Sequence, residues 1–164
     1  VVAAVAVVSV LAGCASIPDR TITRREAVGR IEGYLGETFR EVPSELRFSR
    51  IIDPVYEEST SACVVPGTGS GFTGQIEPGV LYEASSAKVQ EREIDRFVAA
   101  VVAHWRSAAA EVEQVGTGTV RIYPYRDRYL LVVSYYPSVK RVRVHGVLGE
   151  CIWSEGTAPP ETRY

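Results

Sequence analysis

The sequence contains no Met and no Asn, and it uses Lys only at Lys88 and Lys140. Without Asn there is no N-glycosylation sequon. Without Met the chain carries no initiator, and a charged segment is expected to precede Val1. With two Lys among eighteen basic residues, the rest are Arg, a bias that fits a GC-rich genome. Charge of either sign is not in excess: eighteen basic side chains face twenty acidic ones, leaving -2. That balance argues against a dedicated nucleic-acid binder. The chain has 164 residues and is 46% hydrophobic, which excludes a disordered chain, a collagen and a polytopic membrane protein. One domain with a sizeable core fits the length.

Residues Val1 to Gly13 read VVAAVAVVSVLAG, without a charge. As a helix they would span about 20 Å, short of the roughly 30 Å hydrocarbon core of a bilayer. The run suits the apolar region of a signal peptide better than a membrane span. It ends in Leu11-Ala12-Gly13-Cys14, followed by Ala15-Ser16. This segment resembles the bacterial lipobox. The resemblance implies a lipoprotein precursor, cleaved before Cys14, whose thiol carries a diacylglyceryl group. Small residues let an extended backbone enter a peptidase cleft, and Cys supplies the sulfur for a thioether. Each buried CH₂ of the acyl chains contributes about 0.8 kcal/mol to anchoring. The alternative is a buried N-terminal element with a chance Cys.

Three Cys are present: Cys14, Cys63 and Cys151. If Cys14 carries lipid, an even pair is left beyond the membrane, where thiols tend to be oxidised. A Cys63–Cys151 disulfide is then expected, with two buried free thiols as the alternative. A metal site is disfavoured, because two distant Cys without a nearby His or Cys do not make a tetrahedral set.

Residues 14–22 read as a lipidated tether, 23–153 as a single globular domain and 154–164, with Pro159-Pro160, as a disordered tail. Thr23-Arg24-Arg25-Glu26 fits a capping box and opens a short helix over 24–36, with Gly36 at its end. Residues 46–56 read as a strand ending at Asp53-Pro54, 57–78 as a long loop holding Cys63, and 80–82 as a short strand. Ile94, Val98, Val101, Trp105, Ala108 and Val112 step by three and four, flanked by Phe97 and Val102. They predict one long helix over 87–115, capped by Ser86. Strands are expected at 119–125, 128–136 and 140–148, with short antiparallel links. The fold class is α+β: one long and one short helix packed on an antiparallel sheet of four or five strands.

From about residue 14 onward the pattern resembles the LppA-like lipoproteins of mycobacteria and their relatives. The carrying features are the lipobox, Cys63 before a loop, the helix around Glu93-Ile94-Asp95-Arg96-Phe97, and the break at Gly116. The Gly149-Glu150-Cys151 turn and the Pro-containing tail complete them. The resemblance implies an envelope lipoprotein and carries over no catalytic residue.

Gly69-Ser70-Gly71-Phe72-Thr73-Gly74 spells G-x-G-x-x-G, but Pro78 and Gly79 forbid the helix that a dinucleotide site needs. The segment reads as a mobile loop. His104 reads as a core-edge histidine and His145 as a solvated one on the wet face of a strand. No nucleophile elbow, Cys-His pattern or metal-ligand spacing is found, so no catalytic residue, metal or cofactor is expected. Arg121, Arg126, Arg128, Lys140, Arg141 and Arg143 face Asp127 alone in the C-terminal region, a local excess of basic charge. Tyr123, Tyr125, Tyr129, Tyr135 and Tyr136 interleave with them. A partner-contact face of Arg121, Tyr123, Arg141, Arg143 and His145 follows, for an envelope protein or an anionic envelope component. The alternative is ordinary solvated sheet packing. The expected role is a non-enzymatic binding or scaffolding lipoprotein on the outer face of the cytoplasmic membrane. A carrier of a lipid or other apolar ligand is the second reading. An envelope hydrolase is the third.

Overall fold

The computed structural model describes residues 20–51, 61–64 and 72–159. Cys14, the apolar run before it, most of the tether, the Asp53-Pro54 break and residues 160–164 lie outside them.

Helix α1 spans Arg24–Phe39. The expected capping box is present: Glu26 N–H donates to Thr23 Oγ1 at 3.2 Å, and Thr23 N–H donates to Glu26 Oε2 at 2.8 Å. The bond from Thr23 N–H, joined by one from the Thr23 hydroxyl to the same oxygen at 2.9 Å, holds the Glu26 carboxyl below its ordinary value. The helix runs past Gly36, because Leu35 and Thr38 belong to its buried stripe with Ala27 and Ile31. Packing of that stripe overrides the glycine.

Strand β1 covers Ser49–Ile51, shorter than the run of alternating residues suggests. The expected loop over 57–78 holds two strands instead, β2 (Ser61–Val64) and β3 (Phe72–Glu77), paired antiparallel. β3 includes Phe72-Thr73-Gly74, so the last part of the G-x-G-x-x-G run is strand and no helix follows it. Strand β4 is Gly79–Ser85.

Helix α2 spans Glu91–Ser107, with Gln90 as N-cap. The expected span of 87–115 is too long at both ends. Ser86 is buried, and its N–H donates to Lys140 O at 2.9 Å rather than opening the helix. After Ser107 the chain turns through Ala109, at φ 59, into strand β5 (Glu111–Gln114). Val112 therefore sits on a strand. The buried stripe of α2 is Ile94, Phe97, Val101 and Trp105, while Val98 and Val102 flank it half-buried.

Strands β6 (Thr119–Tyr123), β7 (Tyr129–Tyr136) and β8 (Arg141–Leu148) agree closely with expectation. Among the described residues the main sheet has six strands, in the order β1-β4-β8-β7-β6-β5, all antiparallel. It is one strand wider than expected, because β5 was hidden in the long helix. The mixed helix-and-sheet class stands.

Both helices lie on one face of the sheet. Val142, Val144 and Leu148 of β8 and Tyr129, Leu131 and Val133 of β7 are buried beneath them, each at most 1% exposed. Burying each such side chain contributes roughly 1.5–3 kcal/mol. Trp105 Nε1–H donates to Thr38 Oγ1 at 3.0 Å inside this core, joining the two helices.

Cys63 and Cys151 lie at disulfide distance, Cα to Cα 6.1 Å. The β2–β3 pair is also tied by hydrogen bonds between Ile76 and Ile152, at 2.9 and 2.8 Å. The tail is not free from residue 154 onward. Arg24 N–H donates to Ser154 O, Thr21 N–H donates to Gly156 O, and Arg20 bridges Thr157. Residues 154–159 thus run beside the start of α1.

Candidate functional site

Strand alternation settles which residues share the helix-free face of the sheet. Arg141, Arg143, His145 and Val147 project there from β8, and Thr119, Arg121 and Tyr123 from β6. The expected contact residues Arg121, Tyr123, Arg141, Arg143 and His145 therefore all occupy one face. The five tyrosines do not: Tyr129 and Tyr135 lie on the helix side, and Tyr125 occupies a turn after β6 at φ 51.

The expected excess of positive charge is largely compensated. Glu83 of β4 stands opposite Arg143, with Oε2 2.7 Å from Arg143 Nε and Oε1 2.9 Å from Arg141 Nη1. This carboxylate raises the Arg143 pKa further. Glu113 of β5 stands opposite Arg121, at 3.7 Å. Arg128 pairs with Glu150. Glu83 comes from β4, remote in sequence, while Glu113 lies on β5 and Glu150 just after β8, outside the span that holds the basic residues. Arg143 also lies over the Tyr136 ring, 5.4 Å from its centroid.

His145 is not solvated as expected. Leu81 and Val132 are its register partners on either side. Its Nε2 is buried and has no hydrogen-bond partner among the described residues. Burial lowers its pKa from the ordinary 6.5, because the charged form loses hydration. His104 is the core-edge histidine expected. It packs edge-on to Trp105 and faces Glu37 Oε2 of α1 at 3.5 Å. His104 thus has one carboxylate neighbour. His145 has none at ion-pair distance among the described residues. Among those residues, no three His, Cys, Asp or Glu groups gather as metal ligands, and no helix is long and apolar enough to cross a membrane.

A second feature was not foreseen. Beside the buried stripe of α2 runs another apolar stripe, and β5–β6 stands off from it. The resulting groove measures about 440 Å³ and is lined by Val98, Ala99, Val102, Val112, Val120 and Tyr135. Arg106 and Asp95, also of α2, line it too, as does Gln114. The sequence signal for it was the width of the apolar arc on α2, which exceeds what one sheet contact needs.

No family model, curated protein or solved structure matches the chain.

Proposed function

We propose that this chain is an envelope lipoprotein, anchored through acylated Cys14, whose folded domain binds a partner outside the cytoplasmic membrane. The lipobox sequence Leu11-Ala12-Gly13-Cys14 motivates the anchor. The observation that carries the reading is the Cys63–Cys151 pair at disulfide distance, which fits an oxidising compartment.

The helix-free sheet face is the proposed contact surface for an envelope protein. Paired Arg and Glu side chains, tyrosines and half-buried aliphatic groups suit a protein surface better than a polyanion. The Arg143–Glu83–Arg141 group would fix orientation, with Tyr123 and Tyr136 as contact area. The test is photo-crosslinking in the native envelope from probes at Tyr123 and at Glu91, which lies on α2 across the molecule. The reading expects one discrete adduct from position 123 and none from position 91. Equal, diffuse labelling from both would contradict it.

The groove favours a second reading, the carrier of an apolar ligand. The core itself is filled, since Phe97, Trp105, Leu131 and Val133 are each at most 1% exposed. The groove nevertheless falls within the roughly 300–1,000 Å³ range of small-molecule sites. It lies between helix and sheet, where such a carrier requires space.

A further inference from the structure

We infer that the groove between α2 and β5–β6 binds a single-chain amphiphile with an anionic headgroup, the head on Arg106 and the tail running toward Asp95. This deepens the carrier reading and rests on it. Three observations converge.

The first is shape. Asp95, Val98, Val102 and Arg106 follow one another at steps of three and four, with Ala99 and Ala103 beside them, so they form one line along α2. From Asp95 to Arg106 the line is about 16 Å long. One leaflet of a bilayer has a hydrocarbon depth of about 15 Å, so an acyl chain of ordinary length fits along it.

The second is chemistry. The stretch between the ends is mainly apolar, with Val98 and Val102 on the helix wall and Val112, Val120 and Tyr135 on the sheet wall, where Gln114 adds one amide. Ala99 and Ala103 are exposed and small, leaving an open trough rather than a closed cavity. Such a trough admits a chain sideways and leaves its head in water.

The third is charge. No ion pair involves Arg106 or Asp95 among the described residues. Because α2 joins β5 through Ala108–Ala110 and the two run in opposite directions, Arg106 shares its end with Val112. Asp95 lies about three helical turns away, at the other end of the line. A guanidinium at one end and a carboxylate at the other give the trough a polarity. An anionic head is drawn to Arg106 by a charge-assisted hydrogen bond and repelled from Asp95. A carboxylate and a phosphate share this chemistry.

The test uses the full chain with Cys14→Ser, purified without detergent, and calorimetric titration with dodecanoate, dodecyl phosphate and dodecanol. Both anions are expected to bind one per chain, dodecanol about tenfold more weakly. Arg106→Gln should remove that preference, bringing the anions to the affinity of dodecanol. Ala99→Trp and Ala103→Phe, substitutions at exposed positions that fill the trough, should each abolish binding of all three. Tighter binding of one anion than the other identifies the headgroup source.

If anions and alcohol bind equally and Arg106→Gln changes nothing, the headgroup assignment fails while the carrier reading stands. If none of the three binds to a folded chain, both fail. If the chain is a dimer that Ala99→Trp converts to a monomer, the trough is a contact between copies, and the proposal is overturned.

Discussion

Ile31 of α1 sits directly over Gly146 of β8. A Cβ added at Gly146 would stand 2.5 Å from Ile31 Cγ2, 3.1 Å from Leu131 Cδ2 and 3.6 Å from Leu35 Cγ. The missing side chain is what lets α1 approach the sheet. Ile31 is β-branched and stiff, so it cannot swing aside. Gly146→Ala is expected to lower the unfolding free energy by about 1–3 kcal/mol. In an Ile31→Ala background the same substitution should cost less, because the closest clash is gone and only the Leu131 contact remains. Equal costs in both backgrounds, measured by urea denaturation, would show that α1 does not rest on this glycine.

Thr38 joins the helices through its hydroxyl, which accepts from Trp105 Nε1–H at 3.0 Å and donates to Tyr34 O at 3.1 Å. Both Thr38 and Trp105 are fully buried. Thr38→Val keeps the shape and strands the indole N–H, at an expected cost of about 1–3 kcal/mol. Thr38→Ser keeps the hydroxyl and should cost clearly less. Chemical denaturation of the two variants checks the order.

Glu83 serves two arginines on β8. Removing it leaves Arg141 and Arg143 uncompensated on one face. Glu83→Gln is expected to cost about 0.5–1 kcal/mol at low salt, and less at high salt as screening rises. A cost that does not depend on salt would point to packing instead of charge.

His145 makes stability depend on pH. Its pKa in the fold lies below the ordinary 6.5, so the unfolded chain takes up a proton first as pH falls. The contribution is fully present above 6.5 and is lost as pH drops from there toward the lowered folded value. His145→Leu should flatten the melting temperature between about pH 7.5 and about pH 5, the range in which a histidine titrates. At neutral pH the substitution should be neutral or mildly stabilising, because the unpaired Nε2 disappears. A wild-type pH profile that His145→Leu leaves unchanged would contradict this account.

Local signals made some elements readable and hid others. The capping box at Thr23 and Glu26 is complete within four residues, and the start of α1 follows from it. The alternation of Arg141 to Leu148 marks β8 and its two faces. The end of α2 was illegible because Val112 continues the helical spacing. Only the turn at Ala109 and the pairing of Glu111-Val112-Glu113-Gln114 with β6 make it a strand. The β2–β3 pair lies in a stretch rich in Ser, Thr and Gly. What holds it is remote in sequence: Cys151 and Ile152. The proposed contact face was legible as a set of residues, since alternation places all five on one side of the sheet. Its charge was not, because Glu83 and Glu113 reach it from strands whose places in the sheet only the topology reveals.

The disulfide closes a loop of 88 residues in sequence separation. For loops of this size the chain-entropy model gives roughly 4–5 kcal/mol. Cys63→Ser and Cys151→Ser should therefore each lower stability substantially, and the double variant should cost little more than either one. Additive losses, measured by denaturation, would mean that the two sulfurs act separately.

The proposed anchored, oxidised state is tested most directly by the intact mass of the protein extracted from the membranes of its native host, with and without reductant. The expected species begins at Cys14, carries the added mass of a diacylglyceryl group, and gains two hydrogen atoms on reduction. A water-soluble species that keeps residues Val1 to Gly13, carries no acyl mass and is unchanged by reductant would contradict the account.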